Sequence, residues 1–410
     1  MTKFIFRIIK YFFLSVGILL FLIFSVFYFI YIFCPIYDFK EPEKFKGSYI
    51  YNPYQNLETA NWKKANFHVH SRAWGGLTDG LKNFPDILTD RYYELEYDIY
   101  CISDYMRIND FLKDSVFYLP VYEHGYGIQK YHQLGIGARE VTYTDYPFFQ
   151  TLHNKQHIID LMKEKNELVS LNHPSIRNAV TGFDLRYLSN FDMFEAVSRL
   201  SRSTHLWDTL LSNGYYAYIL ANDDGHDLYK NNEVGQFCTF VNTESLNRED
   251  VIKSMREGRT FGAEIRFYDH LSFEEKIRLE KFIEELTKAE VKDGILTVRT
   301  NTPAVFFSFI GQDGKTLLNV EHSDSASYKF NDEDTYIRTE IWFPSQNRFY
   351  LNPVFRTERM FPENKRKPEI NYPLSFIQLI SGIIIYAVII ISIILLIIVR
   401  RRKKISVKKE

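Results

Sequence analysis

Two histidines one residue apart, in "NFHVHSRAWGGLTDG" (residues 66 to 80), are the first residues whose types and spacing suggest chemistry. In an extended run, His68 and His70 point to the same face. Paired imidazoles pack poorly in an apolar core but make good metal ligands. An H-x-H pair alone is weak evidence. The rest of the chain strengthens it, because ligand-type residues recur where runs of strand character end. Asp79 lies in "LTDG", and Asp104 ends "YDIYCISD". Glu140 lies in "GIGAREVTY", and His173 ends "ELVSLNHP". Asp223, Asp224 and His226 end "YYAYILANDDGH". Turn preference accounts for the aspartates. It does not account for histidine at three of these ends, which fits a site assembled at one face of the fold.

The elements that must position these groups alternate. "ANFHVH", "YDIYCIS", "HQLGIGAREVTY", "ELVSLNH", "MFEAVS", "YYAYILAND" and "FCTFVN" read as strands. "NKQHIIDLMKEKN", "THLWDTLLSNG" and "NREDVIKSMREG" read as helices, with Gly214 and Gly258 as stop signals. That alternation predicts a parallel sheet or barrel with helices outside. After Phe267 the pattern changes. "SFEEKIRLEKFIEELTKAEV" reads as a charged amphipathic helix, followed by short β-like runs separated by turn signals, a small antiparallel β-domain.

Both ends of the chain are apolar. Residues 11 to 37 and 370 to 399 carry no charged residue and exceed the roughly 20 residues needed to cross a bilayer. The first run lacks a small-residue cleavage site and reads as an uncleaved anchor. Lys3, Arg7 and Lys10 before the first run, and the basic tail from Arg400, predict both termini in the cytoplasm and the main domain outside. Lys365, Arg366 and Lys367 argue the other way but are diluted by Glu363 and Glu369. The expected layout is a cytoplasmic N-terminus (1–10), a transmembrane helix (11–34), a linker (35–60) and a metal-dependent domain (61–268). A helix (269–290), a β-rich domain (291–357), a linker (358–371), a second transmembrane helix (372–399) and a basic tail (400–410) follow. A formal net charge of -1 argues against nucleic acid as a partner. Three cysteines, Cys34, Cys101 and Cys238, form no CxxC pattern and no disulfide framework.

"FHVHS…TDG", "ISDY", "GARE", "LNHPS" and "NDDGH", in this order, resemble the PHP (polymerase and histidinol phosphatase) family of metal-dependent phosphoesterases over residues 61 to 264. The resemblance implies an α/β fold, a distorted seven-stranded (β/α) barrel, with two or three divalent metals at its mouth. It implies one metal on His68, His70, Glu140 and Asp224, and a second sharing Glu140 and adding His173 and His153. A third would use Asp79 and His226. Tyr105 stands where the family has a histidine, which implies a weaker third site or lost catalysis. Mixed imidazole and carboxylate ligation suits Zn, Mn or Fe. His226 or Asp104 would protonate the leaving group. Arg72 and Arg139 are candidate phosphate contacts, and Arg259 reads as solvated surface charge. The expected activity is hydrolysis of a phosphoester by metal-activated water, with an envelope component as the candidate substrate on the ground of location. A catalytically quiet envelope module and a metal-dependent C–N or C–O hydrolase are the alternatives, since ligands alone do not choose a substrate.

Overall fold

The computed structural model describes residues 2–77, 82–364 and 366–406, which fall into two compact units. The first unit joins the two ends of the chain, residues 1–39 and 368–410. It holds helices Thr2–Ile32 and Tyr372–Ser406, both long and apolar enough to cross a membrane. Side chains on these helices meet. Tyr28 Oη donates to the Gly382 carbonyl at 2.8 Å, and Tyr386 Oη donates to Ser25 Oγ at 2.7 Å. Gly382 permits this approach, since a Cβ there would meet the Ile32 side chain at 2.8 Å. Tyr37–Asp38 pairs antiparallel with Glu369–Ile370 where the two segments leave the helices.

The second unit spans residues 40–367 and is mixed α/β. Its strands form two sheets and do not close into a continuous barrel. The five-stranded sheet runs Val121–His124, His132–Ile136, Leu168–Asn172, Met193–Ser198 and Tyr218–Asn222. The last three strands are parallel, whereas His132–Ile136 runs antiparallel to both neighbours. This departs from the expected (β/α) alternation. A short loop carrying Gly125 and Gly127 joins Val121–His124 to His132–Ile136, and an antiparallel pair needs no crossover helix. Elsewhere helices follow strands as predicted. Leu152–Lys165 begins with a capping box between Thr151 and Asn154, and Arg248–Arg256 is capped by Asn247.

The larger sheet begins with Trp62–Asn66, which pairs with Ile99–Tyr100 in parallel and with Phe237–Asn242 in antiparallel fashion. It continues through Thr260–Glu264 and Arg348–Leu351 into the long strands Ile295–Ile310 and Thr316–Lys329. The β-rich segment after residue 285 therefore extends the same sheet. Its inner face and helix Pro85–Glu94 share one core that includes Tyr92, Phe261, Phe307, Ile341 and Phe349. The helix predicted through residue 290 ends at Leu279, after a capping box from Ser272 to Glu275, and Leu286–Lys292 is a strand. Pairing with Ile295–Ile310 and burial of Leu286 and Ala289 override the local helical pattern.

Candidate metal centre

His68 and His70 sit just past the Trp62–Asn66 strand, around a bridge that Val69 makes to Gly225. His70 N–H donates to the Gly225 carbonyl at 3.0 Å, and Asp224 N–H donates to the His68 carbonyl at 2.9 Å. The histidine pair and Asp224 are thereby locked side by side although they lie far apart in sequence. A second bridge joins Tyr105 to Glu123. These two bridges tie the sheets together at the place where the ligand-type side chains converge.

Glu123 is the hub. Its carboxylate lies 3.3 Å from His68 Nε2, 3.2 Å from His70 Nε2, 3.0 Å from His132 Nδ1 and 3.1 Å from His173 Nε2. Asp224 Oδ1 lies 3.3 Å from His68 Nε2, 3.5 Å from His70 Nε2 and 3.2 Å from His226 Nε2. Of these seven residues only His226 is appreciably exposed. Its ring stacks on His70 at 4.3 Å, and the Tyr105 ring stacks on His70 at 4.5 Å.

The electrostatics are those of two anions shared among imidazoles in a dry place. Burial opposes charge on His68, but Asp224, Glu123 and Glu195 outweigh it and raise its pKa well above the ordinary imidazole value. Burial would raise Glu123, yet His132 and His68 hold it well below the usual carboxylate range. Asp224 behaves the same way beside His68 and His226. Burial prevails at His132, whose pKa is lowered although Glu123 resists it.

The surrounding residues fix the geometry. Glu195 Oε1 lies 2.9 Å from His68 Nδ1 and accepts from Asn222 Nδ2 at 3.0 Å, while its Oε2 accepts from His173 N–H at 3.0 Å. A proton on His68 Nδ1 leaves Nε2 as the ligand atom facing Glu123 and Asp224. Asp223 accepts from the backbone N–H groups of Gly235, Gln236 and Phe237 and from Tyr92 Oη, which anchors the turn carrying Asp224. His173 and Asp224 have φ of 28° and 49°, a left-handed conformation uncommon outside glycine and often found at functional sites.

The residues present fit a metal. His68 Nε2, Glu123 Oε2, His132 Nε2, His173 Nδ1 and both Asp224 carboxylate oxygens are buried without a hydrogen-bond partner among the described residues. Buried polar atoms are nearly always satisfied, and each unsatisfied one costs about 1–3 kcal/mol. Four overlapping triads have ligand atoms close enough to share an ion: His68–His70–Glu123, His68–His173–Asp224, His70–Asp224–His226 and Glu123–His132–His173.

The structure brings together His68, His70, His173, Asp224 and His226 from the sequence-predicted set. Glu140 lies elsewhere, exposed and 2.9 Å from Lys165 Nζ. His153 opens helix Leu152–Lys165 and is not in the cluster. Their places are taken by Glu123 and His132. The reason is strand direction. Because His132–Ile136 runs antiparallel, its beginning, not its end, lies beside Asn172 and His173. Glu140 follows the far end. The missed signal was "VYEHG…YHQLGI", two β-like runs around a glycine-containing segment, which is a hairpin pattern. Asp79 falls outside the described residues. Asp104 is buried but committed elsewhere, accepting from Ser71 N–H and Oγ and from Asn109 Nδ2. Arg72 is exposed and lies over the Phe84 ring. Arg139 is exposed and donates to the Glu164 carbonyl, and Arg259 pairs with Glu257 at 2.8 Å. Two cations border the centre: Arg199, whose Nη2 donates to the Asp224 carbonyl at 3.2 Å, and Lys130, 5.9 Å from the Tyr105 ring centroid.

No family model matches the chain, and no curated protein matches it. Among solved structures, a crystal structure at 2.20 Å of a two-domain protein containing a predicted PHP-like metal-dependent phosphoesterase, from Bacteroides vulgatus ATCC 8482, aligns at 12% identity. The alignment covers 76% of this chain and 99% of that one, with a TM-score of 0.37. A likeness of this size carries no argument about function.

Proposed function

We propose that the chain is a PHP-like metal-dependent phosphoesterase held by two membrane-spanning helices, with its main domain on the extracytoplasmic side. The observation that carries the enzymatic part is Glu123, one buried carboxylate facing four imidazoles, with Asp224 facing three. His68, His70, Glu123 and Asp224 would hold one divalent ion, and Glu123, His132 and His173 a second. His226 with Asp224 would contribute to a third. When bound, such ions supply positive charge against phosphoryl oxygens and acidify the attacking water. Zn, Mn and Fe suit the mixed nitrogen and oxygen donors.

The chain's own residues do the rest. Glu195 orients His68, and the Asp223 anchor orients Asp224. His226 is the exposed imidazole of the cluster and sits beside a carboxylate, so it is suited to hand a proton to a leaving group. Arg199 and Lys130 supply cationic character near the exposed side, which favours an anionic substrate over a neutral amide or lactone. The basic segments flanking the apolar helices support the orientation with both termini in the cytoplasm.

The test is metal analysis and hydrolysis of p-nitrophenyl phosphate by the full chain in detergent, with Zn, Mn or Fe. At least two ions per chain, and turnover reduced at least ~100-fold by Glu123→Gln, are expected, since a shared ligand serves both ions. Fewer than two ions with no turnover over a range of pH would favour a catalytically quiet module instead.

A further inference from the structure

We propose that a cleft beside the metal centre binds a second phosphate group of the substrate, so that the preferred substrates are phosphoesters carrying another phosphate beyond the one cleaved. The inference rests on the phosphoesterase reading above and names its substrate class.

The cleft has a volume of about 620 Å³, and its lining includes Arg199, Arg202, Lys230, Glu264 and Asp269. Arg199 connects it to the metal centre. Its Nη2 holds the Asp224 carbonyl and lies 3.8 Å from Glu233, while its buried Nε has no hydrogen-bond partner among the described residues. Three arginines, of which Arg202 lines the cleft, converge on one buried carboxylate. Arg202 Nη2 donates to Glu264, Arg266 Nη1 lies 3.0 Å from it, and Arg348 Nη1 lies 3.8 Å away. Tyr350 Oη donates to the same carboxylate at 3.1 Å. Asp269 offers the second negative charge, 3.4 Å from Arg266 Nε, and also accepts from Gln236 Nε2.

Three guanidinium groups thus meet two carboxylates, and each guanidinium has five donors in a rigid fork. Glu264 satisfies a minority of them. It holds the arginines together without using all of their donors. Arg202 is the group best placed to bind a ligand, since its side chain is 45% exposed and lines the cleft. Forked N–H groups match phosphate oxygens bidentately.

The experiment compares p-nitrophenyl phosphate with propane-1,3-diyl bisphosphate, using the metal-loaded full chain in detergent and following phosphate release. Arg202→Gln removes one charge-assisted contact, worth about 1.5–3 kcal/mol. It should raise KM for the bisphosphate roughly tenfold or more while leaving kcat and the monophosphate KM unchanged. Asn231→Asp, at an exposed position lining the cleft, should weaken the bisphosphate selectively without touching the arginines. Calorimetric binding of the bisphosphate reads the cleft independently of turnover. No effect on the bisphosphate, or equal loss for both substrates, overturns the inference. Binding that weakens with Arg202→Gln, with no turnover of either substrate, leaves the anion cleft standing and overturns the phosphoesterase reading.

Discussion

Glu195→Gln isolates a residue that faces the cluster without belonging to any of its ligand triads. Glu195 is fully buried and takes three donors: His68 Nδ1 and Asn222 Nδ2 on Oε1, and His173 N–H on Oε2. A glutamine has one acceptor oxygen and one NH₂ in their place. If its oxygen stays toward His68, the NH₂ confronts the His173 N–H, donor against donor. If the amide turns over, His173 is satisfied but His68 Nδ1 meets the NH₂. Its proton must then move to Nε2, the atom that faces Glu123 and Asp224. Either arrangement leaves a buried group unsatisfied, at about 1–3 kcal/mol, or removes the ligand lone pair. The expected outcome is a 10- to 100-fold loss of metal affinity, the usual effect of losing such an outer partner. Competition against a chromogenic chelator, with the full chain in detergent, measures it. Excess metal should restore most of the turnover, because no ligand has been removed. Affinity within about twofold of the parent would refute the claim that Glu195 sets the His68 tautomer, since one tautomer is worth at least ~1 kcal/mol here.

Other outcomes follow from the same geometry. Glu140→Gln should keep metal content and turnover within about twofold of the parent, as expected of an exposed surface ion pair, in contrast to Glu123→Gln. Lys276 is buried and donates to the Asn231 and Val234 carbonyls; burial lowers its pKa from 10.5 to about 8. Between those values the folded chain binds fewer protons than the unfolded chain, so stability should rise with pH across that window by on the order of 3 kcal/mol. Thermal melts from pH 7.5 to 10.5 check this, and Lys276→Met should flatten the slope. Arg338 meets Asp208 through two buried contacts of 2.6 and 2.7 Å, joining the strand Tyr336–Trp342 to helix Thr204–Ser212. Arg338→Ala should cost about 3–5 kcal/mol, because it leaves the buried Asp208 without its cation; denaturant unfolding measures the loss, and one below about 1 kcal/mol would refute the assignment.

Much of the site could be read from the chain. His68, His70, His173, Asp224 and His226 each sit at or just beyond a strand end within a few residues of a turn, and short-range pattern carries that information. The strands Met193–Ser198 and Phe237–Asn242 and the capped helices were likewise legible, because alternation, capping residues and glycine stops act locally. The two apolar helices follow from composition alone.

Tertiary structure decided which carboxylate is shared. "GARE" and "VYEH" look equally suitable in sequence, each an acidic residue in a β-like run. Only the antiparallel direction of His132–Ile136 sends Glu140 to the far end and brings Glu123 and His132 beside His173. Strand direction is fixed by pairing, and its local mark here, the hairpin pattern of "VYEHG…YHQLGI", does not by itself say which carboxylate is shared. Pairing likewise decides the single sheet that runs from Trp62–Asn66 into the β-rich segment, and the helix that yields to the strand Leu286–Lys292. For Leu286–Lys292 the hairpin partner that begins at Ile295, together with the burial gained, outweighed a weaker local helical preference.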